Sequence, residues 1–180
     1  MNLGLKGKAV IVTGSSSGLG YAAAALFASE EANLVICSRT ERIESAAEKI
    51  RSSTSAQVLA VQADLGRAEE VAGLISRALE AFGRIDILVA NTGGPPGGSF
   101  LSFTPDDWTR AFGTTLMTMV HLCYAVVPHM LSQGGGSIVA SQSFTVKQPA
   151  ERLCFRTRCG WQSSALSNPW LTNSARGAFG

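Results

Sequence analysis

The sequence predicts an α/β fold built on a doubly wound parallel sheet, and three features point to it. Short apolar runs recur at "KAVIVT" (8–13), "NLVICS" (33–38), "QVLAVQ" (57–62), "IDILVA" (85–90) and "SIVAS" (137–141). Helical apolar patterns fill the intervals at about 18–30, 41–53, 67–82 and 106–132. The strands are near-continuously apolar rather than alternating, as strands covered on both faces must be.

Taken in order, the first strand runs directly into "TGSSSGLG" (13–20), which opens the first helix. The second strand ends in "SRT" (38–40) and the third leads into "ADL" (63–65). The fourth is followed by "NTGG" (91–94) and the loop "GGPPGG" (93–98). In "TPDDW" (104–108), Thr104 suits a helix cap, Pro105 the first helical position, and Asp107 places negative charge in the first turn. Asp106 and Asp107 therefore read as helix-start charges before they read as a pair of catalytic carboxylates.

Composition narrows the class. At 180 residues, 46% hydrophobic and 16% charged, the chain is long enough to bury one substantial core. The net charge of +2 belongs to residues 151–180, which carry four Arg against one acid; residues 1–150 come to −1 and gather no basic face, so a nucleic-acid partner is not expected. Apolar runs such as "YAAAALFA" and "ILVA" fall short of the roughly 18 residues that span a bilayer, and no signal peptide is visible, so a cytoplasmic protein is expected. Cys37, Cys123, Cys154 and Cys159 show no CxxC spacing, which points away from zinc or redox chemistry and toward buried thiols. No metal site is expected.

The glycine turn carries the first chemistry. Gly14 permits a tight turn, Gly18 lets backbone N–H groups approach a pyrophosphate, and Gly20 allows helix and sheet to pack closely, while the helix N-terminus supplies positive potential. Three glycines could serve a turn alone; their place after a strand and before a helix points to a dinucleotide. About 20 residues further on, an acid would accept hydrogen bonds from an NAD ribose. Ser38 and Arg39 stand there instead and suit a 2′-phosphate, so NADP is expected before NAD.

With TGxxxGxG at 13–20, "ADL" at 63–65 and "NTGG" at 91–94, the chain resembles the short-chain dehydrogenase/reductase family over about residues 5–150. The resemblance implies a Rossmann-type fold and hydride transfer between NADP(H) and a carbonyl or secondary alcohol. It implies a cofactor held by Gly14, Ser16, Gly18, Leu19, Gly20, Arg39, Asp64 and Asn91. Asp64 would accept from the adenine amino group, and Asn91 would tie the fourth strand to the glycine turn. A small-molecule substrate and a homo-oligomeric parent family follow from the same likeness.

The family's catalytic set is Ser, Tyr, a Lys four residues later, and Asn. Aligning "SIVASQSF" with the family's fifth strand makes Ser143 the Ser, with Ser141 the alternative register. The Asn position, seven residues after Trp108, holds Thr115. The only tyrosines, Tyr21 and Tyr124, lie in the first and fourth helices, and no YxxxK occurs. Lys147 reads as a loop lysine, and His121 and His129 as structural or exposed. A dinucleotide-binding protein without turnover, or a defective gene product, is the second functional class.

Two units are expected: residues 1–150 as the dinucleotide-binding domain, and residues 151–180 as an aberrant tail lacking the family's later strands and helices. The tail has Pro169 in "GWQSSALSNPWLTNSARG" and no helical apolar spacing. Read one frame over, Cys159, Ser163, Ser167, Trp170 and Ser174 would each conceal an apolar residue, at the spacing of an amphipathic helix. A frameshift near or before Cys154 and a divergent, disordered C-terminus are the two accounts of it.

Overall fold

The computed structural model describes residues 3–94 and 96–143; Lys147 and the segment 151–180 lie outside the described residues. Five strands, β1 (Ala9–Thr13), β2 (Asn33–Ser38), β3 (Val58–Gln62), β4 (Ile87–Ala90) and β5 (Ser137–Ala140), form one sheet in the order β3-β2-β1-β4-β5. Every pairing is parallel, with Val10 opposite Leu34 and Ile87, and Leu88 opposite Ile138. After β1 the chain builds outward to β3, then returns to lay β4 on the other side of β1. The crevice beyond the carboxyl ends of β1 and β4 is thus the switch point of the sheet, where such folds take ligands.

Helices α1 (Gly18–Ser29) and α2 (Arg42–Ser53) cover one face of the sheet, and α3 (Ala68–Phe82) and α5 (Thr118–Ser132) the other. On the first face Val10, Val12, Leu34 and Ile36 pack against Ala24, Ala28, Ile43, Ala47 and Ile50. On the second, Ile11, Val35 and Leu88 meet Leu74, Ile75, Leu122 and Val126. All five residues of β1 are buried, because it sits mid-sheet with a helix layer on either side.

The long helical pattern at 106–132 is not one uniform helix. It begins as α4 (Pro105–Phe112), passes through a π-helical segment at Gly113–Met117, and continues as α5. Three threonines absorb the backbone groups that this widening frees. Thr114 Oγ1 donates to the carbonyl of Arg110, Thr115 Oγ1 to that of Ala111 (2.6 Å), and Thr118 Oγ1 to that of Thr114. The start is as the sequence suggests: Thr104 and Asp107 form a reciprocal capping box with Pro105 inside it.

From Pro105 to Ser132 this helix has the length and mean hydropathy of a membrane span. It buries Met119, Leu122, Val126 and Met130 in the core on the α3 side of the sheet, at 3% exposure or less. The fourth strand starts two residues later than its apolar run: the Gln133 side chain takes both backbone groups of Ile85 (3.2 and 2.6 Å), while Asp86 donates to the Ala9 carbonyl and accepts from the Ser137 N–H, both at 2.8 Å.

Candidate dinucleotide site

The glycine turn is held from two sides. Thr13, at the end of β1, donates through Oγ1 to the carbonyl of Asn91 and accepts from its backbone N–H, both at 2.9 Å. Asn91 Nδ2 donates in turn to the carbonyl of Gly14 at 3.1 Å. Ser15 is buried; its hydroxyl donates to the carbonyl of Val12 at 2.8 Å and accepts from the N–H of Cys37 at 3.0 Å, fixing the turn to β2. The ends of β1, β2 and β4 are therefore bonded into one rigid rim.

Two glycines of that rim are sterically required. Gly14 has φ of +58°, and a Cβ there would collide with the carbonyl of Asn91. A Cβ on Gly20 would collide with the carbonyl of Gly14, so the start of α1 approaches the turn as only glycine permits. Gly18 opens α1 with φ of +61° and nothing against its absent Cβ. The residue before it, Ser17, makes no side-chain cap, and the first turn carries no acid, so the amide dipoles at this end of α1 face the crevice unopposed. Ser16 is half-buried in the turn, and Leu19 projects from it, 78% exposed.

A cavity of about 70 Å³ lies beside this turn, lined by Gly14, Arg39, Asp64, Asn91, Gly93 and Thr114 among others. It continues into an outer cavity of about 260 Å³ through the shared Arg39, Gly93 and Thr114. Arg39 is exposed, makes no ion pair among the described residues, and lies alongside Gly93, across the crevice from its own strand. Asp64 accepts the Gly66 N–H through Oδ1 at 3.1 Å. The structure thus brings Gly14, Arg39, Asp64 and Asn91 around one space, with Ser16, Gly18, Leu19 and Gly20 along its glycine-turn edge.

The other candidate, Ser143, stands apart from that lining. It follows β5 by three residues, at the same carboxyl end of the sheet, where the Ser141 N–H donates to the carbonyl of Ala90 (2.9 Å). Thr115 spends its hydroxyl on the Ala111 carbonyl. Tyr124 is 81% exposed on α5, and Tyr21 packs beside the α1–α2 core, so among the described residues no tyrosine lines the cavity.

Of the two described thiols, Cys37 is buried and Cys123 half-buried. Burial pushes Cys37 up to about 12, against a small opposing effect of the Ala63 carbonyl, and burial raises Cys123 to about 11. His121 is half-buried, with Nδ1 at 3.5 Å from the carbonyl of Leu65, and His129 is exposed. No group of His, Cys, Asp and Glu able to hold a metal occurs among the described residues.

Sequence reasoning passed over Thr13, Ser15, Thr114 and Thr118. For Thr13 and Ser15 a signal was present, since both lie in the quoted glycine turn. The lining threonines Thr114 and Thr118 had none, because they reach the cavity only once the helix is laid across the sheet.

Comparison with known proteins agrees with this geometry. A model of the short chain dehydrogenase family matches residues 8–155. The chain is 33% identical over 152 residues to a short chain dehydrogenase/reductase, astE, of Aspergillus oryzae, covering 83% of this chain and 58% of that protein. It is 38% identical over 149 residues to an uncharacterized oxidoreductase of Mycobacterium tuberculosis, covering 82% and 56%.

Among solved structures, L-sorbose reductase from Gluconobacter frateurii complexed with NADPH and L-sorbose superposes with a TM-score of 0.85 at 31% identity, over 92% of this chain and 62% of that one. A 7α-hydroxysteroid dehydrogenase complexed with NADH and 7-oxo glycochenodeoxycholic acid gives 0.86 at 28%, over 92% and 64%. The chain thus spans a little over half the length of these curated relatives.

Proposed function

The chain belongs to the short chain dehydrogenase family, and from that premise we propose that residues 1–150 form a unit holding a nicotinamide dinucleotide, NADP(H) in preference to NAD(H), for oxidoreduction of a small carbonyl or secondary alcohol. The observation that carries the proposal is the bonded rim of Thr13, Gly14 and Asn91 around an α1 N-terminus left without a side-chain cap. Such an end, with its N–H groups unopposed by acid, suits a pyrophosphate. The cofactor, when bound, supplies hydride chemistry. Relatives crystallised with NADPH and with NADH support the cofactor class.

Each residue has a part in that proposal. Gly14, Ser16, Gly18 and Gly20 bring backbone N–H groups to the pyrophosphate, and Leu19 supplies an exposed apolar wall beside it. Asp64 takes the adenine amino group, and Asn91 keeps the β4 end locked to the glycine turn. Arg39 selects the phosphorylated ribose: its guanidinium has no ion pair to surrender among the described residues, and Ser38 replaces the acid that would favour an unmodified ribose. Ser143, at the carboxyl end of β5, is the candidate for polarising the substrate oxygen.

The test is a titration of nicotinamide fluorescence with NADPH and NADH against the full chain and Arg39→Gln. We expect NADPH to bind at least about tenfold more tightly than NADH, a margin comparable to one charge-assisted hydrogen bond. Arg39→Gln removes most of that margin by weakening NADPH alone. Equal affinity for the two cofactors in the unaltered chain overturns the NADP preference, and binding of neither overturns the dinucleotide site.

A further inference from the structure

Glu70 sits at the third position of α3, where a carboxylate ordinarily folds back onto the N–H of the residue that precedes the helix. Here that N–H, on Arg67, already donates to the carbonyl of Asp64 at 3.0 Å, and the Glu70 side chain passes it by. Its Oε2 instead accepts the backbone N–H of Asp64 at 2.7 Å, while Oε1 pairs with Arg67 Nε at 3.3 Å. Both oxygens are thereby used, and the Arg67 guanidinium offsets the charge of one acid placed beside another.

Asp64 is consequently fixed twice, by Glu70 at its backbone and by the Gly66 N–H at Oδ1 (3.1 Å). Asp64 lines the same cavity as Gly14, Arg39, Leu65, Asn91 and Thr118. A carboxylate held in this way accepts from a donor at one place only. An adenine presents an amino donor at C6; a hypoxanthine presents a carbonyl oxygen there and a donor N–H at the neighbouring ring position. A mobile carboxylate could shift to that N–H, whereas a fixed one would face the carbonyl.

We infer that Glu70 is a positioning residue for base selection, which makes the cleft discriminate a 6-amino purine from a 6-oxo purine by immobilising Asp64. The inference rests on the dinucleotide reading above. Its hydrogen bond to Asp64 crosses from α3 to the end of β3, so the effect is on a neighbour's geometry and not on contact with the base.

The experiment titrates the full chain with NADPH and with reduced nicotinamide hypoxanthine dinucleotide phosphate, following nicotinamide fluorescence. The unaltered chain should prefer the adenine form by about 10- to 100-fold, the range expected when a charged acceptor loses its donor. Glu70→Ala should shrink the preference to about threefold or less, mainly by admitting the hypoxanthine form, and Glu70→Gln, whose amide oxygen still accepts, should retain it. Circular dichroism melting accompanies each variant; if Glu70→Ala does not fold, Glu70→Asp, too short to reach the Asp64 N–H, is read by the same criterion.

Unchanged preference in Glu70→Ala, or an equal loss for both dinucleotides, overturns the inference. Absence of any preference in an unaltered chain that binds NADPH also overturns it and leaves the dinucleotide site standing. Failure to bind either dinucleotide removes both.

Discussion

The central strand β1 and the outer strand β5 belong to one sheet yet are built to different standards. β1 is buried at every residue and ends in side chains bonded to β2 and β4. In β5, Ser137 and Val139 are exposed, Val139 by 54%, while Ile138 and Ala140 pack partly into the α3–α5 core. β4 lies between the two: Leu88 and Ala90 are buried on the α3–α5 face, whereas Ile87 and Val89, on the face that α1 and α2 cover farther along the sheet, are only partly so. Cover thins from β1 to β5 on both faces, more steeply on the α1–α2 side. The proposed cofactor site lies at the carboxyl ends of β1 and β4, and the candidate catalytic serine, Ser143, follows the outer strand β5.

The contrast is sharpest between Leu88 and Val139 on adjacent strands. Leu88→Ala should cost about 2–5 kcal/mol in urea unfolding, as for a fully buried leucine, and Val139→Ala within about 0.5 kcal/mol. Similar costs at the two positions would erase the distinction between the strands.

A second probe addresses the rim. Gly20→Ala drives a methyl into the Gly14 carbonyl and should cost about 1–3 kcal/mol while abolishing NADPH binding. The same exchange at Gly73 on α3, where nothing stands near the added carbon, should leave both stability and binding at or above the starting value. Equal effects at Gly20 and Gly73 would show that the rim is not tightly packed.

Asp86 tests the opposite, amino end of the sheet. Burial alone would raise its carboxyl, but the Arg84 side chain (2.6 and 2.9 Å), the Ala9 N–H (2.9 Å) and the charge of Lys8 outweigh that and hold it below the usual carboxylate range. A folded value below the unfolded one, about 3.9, means the group stabilises the fold above that pH and ceases to do so as pH falls through the folded value. Asp86→Asn should therefore lower stability by about 1–3 kcal/mol at pH 7, with the difference closing below about pH 4 in thermal melts. A difference independent of pH would contradict the ionised network.

Much of this was legible in advance, and for particular reasons. The five strands announce themselves as apolar runs because a parallel sheet buries both faces, and Gly14 and Gly20 because their surroundings exclude any side chain. The capping box at Thr104 and Asp107 is local, so four adjacent residues contain it. Less visible was whatever depends on partners far along the chain. Ile85, the first residue of the fourth apolar run, gives both its backbone groups to the Gln133 side chain 48 positions away. Glu70 stands in a first helical turn, where acids are common, and only the fold reveals that it holds Asp64. For Ser143, spacing after the fifth strand located the residue without fixing what surrounds its hydroxyl.

The most direct measurement is amide hydrogen exchange of the full chain with and without saturating NADPH. Protection should rise at Ser16–Gly20, around Asp64–Gly66 and at Asn91–Gly93, with the Ile85–Ile87 and Gly134–Ser137 segments at the amino end of the sheet unchanged. Protection confined to that amino end, or no change anywhere at saturating cofactor, would contradict the claim that the carboxyl-end rim of β1 and β4 is the dinucleotide site.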